Sequence, residues 1–243
     1  MGLEHVRDVY EKLGREDPMY AVLTRHELRG NRWDPAEFFR RGAEEITDVM
    51  AYIAAGGWPL RRGWALDFGA GVGRLTQALG DEFEAVVGVD ISSTMVEAAE
   101  RYNRHGDRVR YLVNTQSDLA LLPSESFDFI YSSITLQHVP PEPAAAYVGE
   151  FMRVLQPGGL AIFQTRNGPR IVPGTLRARL YVLRREHFRR VWQRLRGRAP
   201  YEMHYLNRGV IEEIVAKRGG RMLDVVDMNP KRPGRSLRYC ATR

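Results

Sequence analysis

Hydrophobic and polar positions follow two different periods along this chain. Up to about residue 60 the apolar residues recur at helical spacing, most clearly in FFRRGAEEITDVMAYIAA. The apolar positions of that segment are Phe39, Ala43, Ile46, Val49, Met50 and Ile53. Gly56 and Gly57 are expected to end this helix. Beyond residue 60, short apolar runs alternate with amphipathic segments, which indicates a change to a mixed architecture.

Five apolar runs predict strands: WALDFGAG, AVVGVDIS, VRYLVN, FDFIYSS and GLAIFQT. Helices are predicted between them over RLTQALGDEF, over SSTMVEAAERYNRHG with Ser92 or Ser93 as N-cap, and over 143–155. A helix over 208–218 and strands over RMLDVVDM and SLRYCATR follow. This alternation predicts an α/β fold with an open, doubly wound, mostly parallel sheet. The short turn NPKRPG makes the last two strands antiparallel.

Residues 166–206 interrupt the alternation and carry the excess positive charge. The chain has 36 basic and 30 acidic side chains, a net charge of +6. Eleven arginines and one acid, Glu186, lie in 166–198, which leaves 25 basic and 29 acidic residues elsewhere. Helical spacing of leucines and aromatic residues predicts a basic amphipathic cap. Three interpretations of this cap are open. It covers an acceptor pocket as a lid, it is a dimer element or a solvated face, or it binds anionic lipid or nucleic acid.

Composition is that of an ordinary folded protein, with 44% hydrophobic and 27% charged residues. The length favours a single domain over 1–243, with a helical region at 1–60. No apolar run is long enough to span a bilayer, and the first residues lack a signal-peptide core. The single cysteine, Cys240, cannot form an intrachain disulfide. We therefore expect a cytoplasmic protein without a transmembrane segment.

A glycine-rich turn joins the first predicted strand to the next helix. It reads Asp67-Phe-Gly69-Ala-Gly71-Val-Gly73. Glycines there let a ligand approach the backbone at a helix N-terminus. The second strand ends at Asp90, where doubly wound folds place a carboxylate on ribose hydroxyls. Arg74 and Thr76 occupy the two positions at which G-x-G-x-x-G needs its third glycine, and no P-loop pattern is present. NAD, FAD and an NTPase are therefore disfavoured, and the turn and the acid are expected to bind another nucleoside-containing ligand. The alternative is that they serve only packing.

Four segments in order resemble the successive motifs of the class I S-adenosylmethionine-dependent methyltransferases: LDFGAGVGR, VVGVDIS, SFDFIYSSITLQHV and VLQPGGL. The likeness extends over roughly 33–243. WDPAEFFRRG also resembles the cofactor-lid segment of one bacterial branch, which implies a lid in 1–60. The resemblance implies a Rossmann-like seven-stranded sheet of order 3-2-1-4-5-7-6, with strand 7 antiparallel, and S-adenosylmethionine as the cofactor.

The same resemblance implies contacts to the methionine end of the cofactor. Gly69, Gly71 and Gly73 are expected to form the cofactor loop, with the backbone of the first two at the methionine part. Asp67 is expected near the ammonium group. Arg74 either reaches the cofactor carboxylate or lies in solvent.

Further positions correspond to the adenosine end. Asp90 is expected to accept hydrogen bonds from both ribose hydroxyls, and Ile91 to pack on the adenine. Within the stretch after the third strand, Asp118 and Leu119 are the expected adenine contacts. Ser132 follows the fourth strand, where a backbone carbonyl of the family commonly holds the cofactor's amino group.

Methyl transfer from a sulfonium is an in-line displacement, so the protein mainly aligns donor and acceptor. An alcohol or phenol must also lose a proton, and His138, just beyond the fourth strand, is the candidate base. The alternative is structural: His138 caps the following helix or packs beneath the lid. No cluster of His, Cys, Asp and Glu has metal-ligand spacing, so no metal is predicted.

These features predict a methyltransferase for a small-molecule or glycan-like acceptor, preferentially at oxygen. The arginine-rich segment favours an anionic acceptor, and peripheral membrane contact stays open. Nucleic acid is disfavoured, because Ser132-Ser133-Ile134-Thr135 stands where amino-methylating DNA enzymes have D/N-P-P-Y/F. The alternatives are N- or C-methylation of a metabolite, or a cofactor-binding, RNA-associated or scaffold protein without turnover. Oligomeric state stays open.

Overall fold

A seven-stranded sheet forms the centre of the computed structural model, which describes residues 2–167, 202–229 and 236–243. Its strands are β1 (Trp64–Phe68), β2 (Ala85–Asp90), β3 (Val109–Val113), β4 (Phe127–Ser132), β5 (Leu155–Arg166), β6 (Arg221–Asp227) and β7 (Ser236–Thr242). They lie in the order β3-β2-β1-β4-β5-β7-β6. Neighbours from β3 to β5 run parallel, and β7 runs antiparallel to both β5 and β6. The predicted fold class and strand order are confirmed.

Helices cover both faces of this sheet. They are α1 (Leu3–Glu16), α2 (Pro18–Val22), α3 (Pro35–Ala55), α4 (Arg74–Gly80), α5 (Ser93–Arg101), α6 (Pro141–Val154) and α7 (Arg208–Lys217). Successive strand residues point to opposite faces: Ala65 packs with α3 and α4, and Leu66 packs with α6 and α7. The carboxyl ends of the parallel strands meet at one edge, which is where doubly wound sheets bind ligands.

The N-terminal helices form a third apolar cluster beside that edge. α1 and α2 pack with the start of α3 and with α5, around Trp33, Phe38 and Met95. Glu11 ties α1 to α5: its carboxylate accepts from the Ser93 N–H at 2.6 Å, and its carbonyl accepts from Thr94 Oγ1 at 3.0 Å. The helical character predicted for 1–60 is confirmed, and these contacts fix α1 next to the carboxyl end of β2.

The predicted buried face of α3 is right in its second half and wrong in its first. Ile46, Val49 and Ile53 are buried as expected. The structure buries Phe38 and Gly42 in the first half, whereas the sequence pattern pointed to Phe39 and Ala43. By hydropathy alone, Ala43 is the better candidate than Gly42 for a buried position. However, only a glycine fits where α3 crosses closest to α4.

Replacing Gly42 with alanine is expected to lower the free energy of unfolding by about 1–3 kcal/mol, the usual range for overpacking. An added Cβ would lie 2.3 Å from the Arg74 carbonyl oxygen, so backbone would have to move. Gly149→Ala in α6 is the matched control, because its Cβ would come no closer than 3.4 Å to the Arg218 side chain. The free energy of unfolding of that variant should rise by about 0.5–1 kcal/mol, because alanine has a higher helix propensity than glycine. Denaturant unfolding of both variants checks the pair, and equal stability changes would contradict the close approach at Gly42.

Three further expectations concern element boundaries. Ser92, rather than Ser93, is the N-cap of α5, since its hydroxyl accepts from the Met95 N–H at 3.2 Å. The helix predicted over 143–155 is observed as α6, Pro141–Val154. The fifth strand begins at Leu155 instead of Gly159, because Leu155 pairs with Phe127 before the chain bends at Gly158. The basic helix predicted within 166–206 lies mostly outside the described residues.

Candidate active site

The glycine turn follows β1 at the ligand-binding edge of the sheet. Gly69 and Gly71 have φ angles of 84° and 54°, in the left-handed region that favours glycine. A Cβ at Gly69 would lie 2.1 Å from Thr135 Oγ1, and one at Gly71 would lie 2.7 Å from Val22 Cγ2. The loop after β4 and helix α2 therefore close on the turn from two sides, and the backbone of both glycines lines a cleft.

Asp90 ends β2 and faces the same cleft. Its Oδ2 accepts from the Gly71 N–H at 2.8 Å, and its Oδ1 accepts from the Ser92 N–H at 3.0 Å. Burial raises the pKa of this carboxyl, and the N–H groups of Ser92, Gly71 and Ile91 oppose the shift. Each carboxylate oxygen can accept more than one hydrogen bond, so both retain capacity for a ligand hydroxyl.

The cleft between these groups is partly open to solvent. Its wall is mainly apolar, with polar groups supplied by Asp90, Asn114, Ser133, Thr135 and His138. Gly69, Gly71, Asp90, Ile91 and His138 are thus the predicted site residues that the structure brings together.

Helices α1 and α2 supply a part of the wall within the region 1–60, for which the resemblance implied a lid but which sequence reasoning did not resolve into individual residues. Leu3, Val6 and Tyr10 come from α1, and Ala21 and Val22 come from α2. In the sequence they belong to ordinary amphipathic helices more than 40 residues before the glycine turn. Only the packing of α1 on α5 carries them to the cleft.

Gly73 and Arg74 lie behind the turn. Gly73 precedes α4 with a φ of 82°, and a Cβ there would lie 2.3 Å from the Tyr111 hydroxyl, so its role is close packing. Arg74 is only 3% exposed, and its Nη2 donates to Glu45 Oε2 at 2.8 Å. The solvent-exposed alternative for Arg74 is therefore wrong, and its guanidinium is directed toward α3.

Asp67 is buried behind the turn with one oxygen unused. Its Oδ2 accepts from Thr76 Oγ1 at 2.6 Å, whereas its Oδ1 is buried without a hydrogen-bond partner. Burial raises the pKa of this carboxyl to about 7, against the lowering effects of Thr76 and Arg74. A buried carboxylate oxygen without a donor is costly, and a cationic N–H group of a ligand would satisfy it.

The loop after β3 meets the cleft through Asn114 instead of the predicted pair. Asn114 lines the cleft, and its side-chain amide donates to the Asp118 carbonyl at 2.7 Å. The Asp118 carboxylate is exposed and accepts from the Ala120 N–H at 3.1 Å. Leu119 is fully buried in the core on the α6 face. The chain turns away from the cleft after Asn114, because Leu119 fills the core on the α6 face. The residue that lines the cleft is therefore four to five positions earlier than the predicted residues.

At the end of β4 the cleft wall begins at Ser133, next to Ser132, and the contact predicted for the Ser132 backbone carbonyl stays a prediction. Ser132 is fully buried, and its hydroxyl donates to the Phe68 carbonyl at 2.9 Å. Ser133, Ile134 and Thr135 follow and line the cleft. Ile134 has a φ of 63°, a costly conformation for a β-branched residue. Such strain is found where a site fixes the course of its backbone.

His138 lines the cleft on the side opposite Asp90's strand and contacts the N-terminal helices. Its Nδ1 lies 3.2 Å from the Glu202 carbonyl oxygen, and its ring meets that of Tyr10 edge-on at 6.0 Å. A carbonyl only accepts, so Nδ1 carries the proton and Nε2 holds the lone pair. Burial lowers the pKa of His138. The residue at the N-cap of α6 is Pro140, so the capping alternative is wrong.

In the residues that the structure describes, no group of three or more His, Cys, Asp or Glu side chains is arranged to hold a metal ion. In the same ranges no helix combines the length and apolar character needed to cross a bilayer.

Known proteins share both the sequence and the fold of this site. Residues 66–163 match a family described as a methyltransferase domain. A ubiquinone biosynthesis O-methyltransferase of Thiobacillus denitrificans is 30% identical over 142 residues, 58% of this chain and 60% of that protein. Phosphoethanolamine N-methyltransferase 3 of Arabidopsis thaliana is 26% identical over 122 residues, 50% of this chain and 24% of that protein. The match thus spans less than two thirds of either curated relative.

A solved structure extends the likeness to nearly the whole chain. The magnesium protoporphyrin IX methyltransferase of Synechocystis PCC 6803, with bound S-adenosylhomocysteine, superposes with a TM-score of 0.63. The alignment covers 99% of each chain at 21% identity, which establishes a shared fold. Together with the strand order and the glycine turn, these matches show that residues 66–163 form a methyltransferase domain and that the chain has the fold of S-adenosylmethionine-dependent methyltransferases.

Proposed function

We propose that this protein transfers a methyl group from S-adenosylmethionine to a small-molecule acceptor, at an oxygen atom. The observation that carries the proposal is one cleft at the carboxyl edge of the sheet. On one side it has the Gly69 and Gly71 backbone and the Asp90 carboxylate, and on the other the His138 imidazole. The ubiquinone biosynthesis O-methyltransferases among the relatives support oxygen as the acceptor atom.

The chain offers complementary groups for the ribose, the adenine and the ammonium group of the cofactor. The spare acceptor capacity of Asp90 suits the ribose hydroxyls, and Ile91 in the cleft wall suits the adenine face. The unpartnered Oδ1 of Asp67 suits an ammonium group. S-adenosylmethionine supplies an electrophilic methyl group on a sulfonium when bound. The apolar wall excludes water around that charge, and the fixed turn orients it toward the acceptor.

His138 is the group of this cleft that can take the acceptor's proton. Because its pKa is lowered, its imidazole is neutral at pH 7, and the Glu202 carbonyl fixes the proton on Nδ1. Nε2 is then the basic atom, and Gln137 Nε2 lies 3.3 Å from it. An incoming hydroxyl would replace that amide as the hydrogen-bond donor. A base of this kind contributes about 10²–10⁴-fold to such a reaction.

Nitrogen is the second candidate acceptor atom. It is supported by the phosphoethanolamine N-methyltransferases among the matched relatives. The same cleft would serve, because the cofactor contacts do not depend on the acceptor. Mass spectrometry of the methylated product separates the two, since O-methyl and N-methyl fragments differ.

The proposed function is tested in two steps. Calorimetry should show that the purified protein binds S-adenosylmethionine and S-adenosylhomocysteine, because both carry the ribose and the ammonium group that the cleft complements. Labelled methyl groups should then be transferred to a fraction of small acidic metabolites, with total RNA as the comparison. Absence of binding to either molecule would remove the enzyme assignment. Transfer to RNA alone would replace the small-molecule acceptor with a nucleic acid.

A further inference from the structure

A second cavity adjoins the cofactor cleft on the α3 face of the sheet. Its wall contains Glu45, Asp48, Tyr131, Phe163, Gln164 and Arg238. It lies at the carboxyl ends of β4 and β5 and at the start of β7. Ser133 and Ile134 line both cavities. A molecule in the second cavity therefore lies directly against the wall of the cleft proposed to hold the methyl donor.

Arg238 is a cation held in this wall without a carboxylate partner. Its guanidinium lies over the Tyr52 ring, 4.1 Å from the ring centre, which fixes its orientation. Its Nε is buried and has no hydrogen-bond partner. Within the described residues no carboxylate forms an ion pair with it, and the rest of the chain contains one acid, Glu186. Arg238 is half-buried, and a buried guanidinium N–H without an acceptor is costly unless a ligand satisfies it.

Of the acids near Arg238, Glu45 and Asp224 accept hydrogen bonds from other residues, and Asp48 is exposed to solvent. Glu45 accepts from Arg74 Nη2 at 2.8 Å through Oε2 and from the Tyr131 hydroxyl at 2.9 Å through Oε1. Asp224 accepts from the Tyr52 hydroxyl at 2.8 Å. Asp48 is exposed and solvated at the rim. The donor capacity of Arg238 is thus left for a ligand.

We infer that the second cavity binds the methyl acceptor by an anionic group, a carboxylate or a phosphate, which Arg238 holds. The inference rests on the proposed function and adds the chemical class of the acceptor. The guanidinium fork matches either anion with two parallel hydrogen bonds. With the anion at β7, the remainder of the acceptor would lie against Ser133 and Ile134, the residues that line both cavities, on the side of the proposed methyl donor. Arg238 lies in strand β7 of the sheet and is not one of the arginines of 166–198.

The experiment uses matched anionic and neutral probes on protein saturated with S-adenosylhomocysteine. Benzoate is compared with benzamide, and phenyl phosphate with phenol, by calorimetry. The two members of each pair differ chiefly in the anionic group. Comparing the two pairs therefore also shows whether the site prefers a carboxylate or a phosphate. We expect at least one anionic probe to bind about ten- to a hundredfold tighter than its neutral partner, as a charged hydrogen-bond pair provides.

Variants locate the anion. Arg238→Gln should remove the preference for the anion, and Arg238→Lys, which keeps the charge but not the fork, should retain part of it. Arg110→Gln at the far edge of the sheet is the control and should leave the preference unchanged. If neither anion is preferred, or if Arg238→Gln retains the preference, the inference is overturned. The affinity for S-adenosylhomocysteine is measured separately in every variant. If the wild type does not bind S-adenosylhomocysteine, the proposed function fails. If Arg238→Gln still binds it, the fold of that variant is intact.

Discussion

Asp90→Ala is expected to weaken S-adenosylhomocysteine binding by about ten- to a thousandfold. The change removes the acceptor proposed for two ribose hydroxyls, and a hydrogen bond to a charged group contributes roughly 1.5–3 kcal/mol. It also releases the Gly71 N–H, which Asp90 Oδ2 holds at 2.8 Å, so the turn loses part of its fixed shape. Isothermal calorimetry measures the affinity, and the midpoint of thermal unfolding reports whether the variant is folded.

Asp118→Ala is the matched control for that experiment. Asp118 is also an acid near the end of a strand at the same edge, and the sequence pointed to it as an adenine contact. The structure exposes its carboxylate and leaves it out of the cleft wall. We expect its removal to change affinity less than twofold, the size of an ordinary surface substitution. A loss in Asp118→Ala that equals the loss in Asp90→Ala would show that the cofactor lies elsewhere.

His138→Gln is expected to lower the rate of methyl transfer by about 10²–10⁴-fold, with little change in S-adenosylhomocysteine affinity. Glutamine can still donate to the Glu202 carbonyl but cannot take up a proton. The rate is measured in single turnovers with whichever acceptor the wild type methylates. A wild-type rate in this variant would assign His138 to packing against Tyr10.

The pH dependence provides a second test of His138. Burial lowers the pKa of His138 from its ordinary value of 6.5, so the basic, neutral imidazole persists below pH 6.5 in the folded protein. The wild-type rate should therefore be level near pH 7 and fall only as the pH drops through that lowered pKa. The fall should be absent from the residual activity of His138→Gln. An NMR titration of the imidazole gives the pKa independently of the rate.

The residues proposed to contact the cofactor could be predicted from the sequence because they are local. Gly69, Gly71 and Asp90 lie at the ends of adjacent buried strands, and parallel strands bring their carboxyl ends together whatever else the chain does. The resemblance of four ordered motifs added the sheet order, including the antiparallel β7. After β3 the chain follows a longer route, and there the prediction was less accurate: Asn114 lines the cleft, whereas Asp118 and Leu119 do not.

The sequence by itself therefore determined the sheet, the glycine turn and the acid beside it, since strand ends and positive-φ glycines are set by neighbouring residues. Only the tertiary structure decided which side chains complete the site. It turned Arg74 toward Glu45, folded α1 and α2 over the cleft, and set Arg238 of β7 on Tyr52 of α3. Those pairings join residues 29 to 186 positions apart. They depend on how helices pack on the sheet, and no short-range pattern in the sequence records that packing.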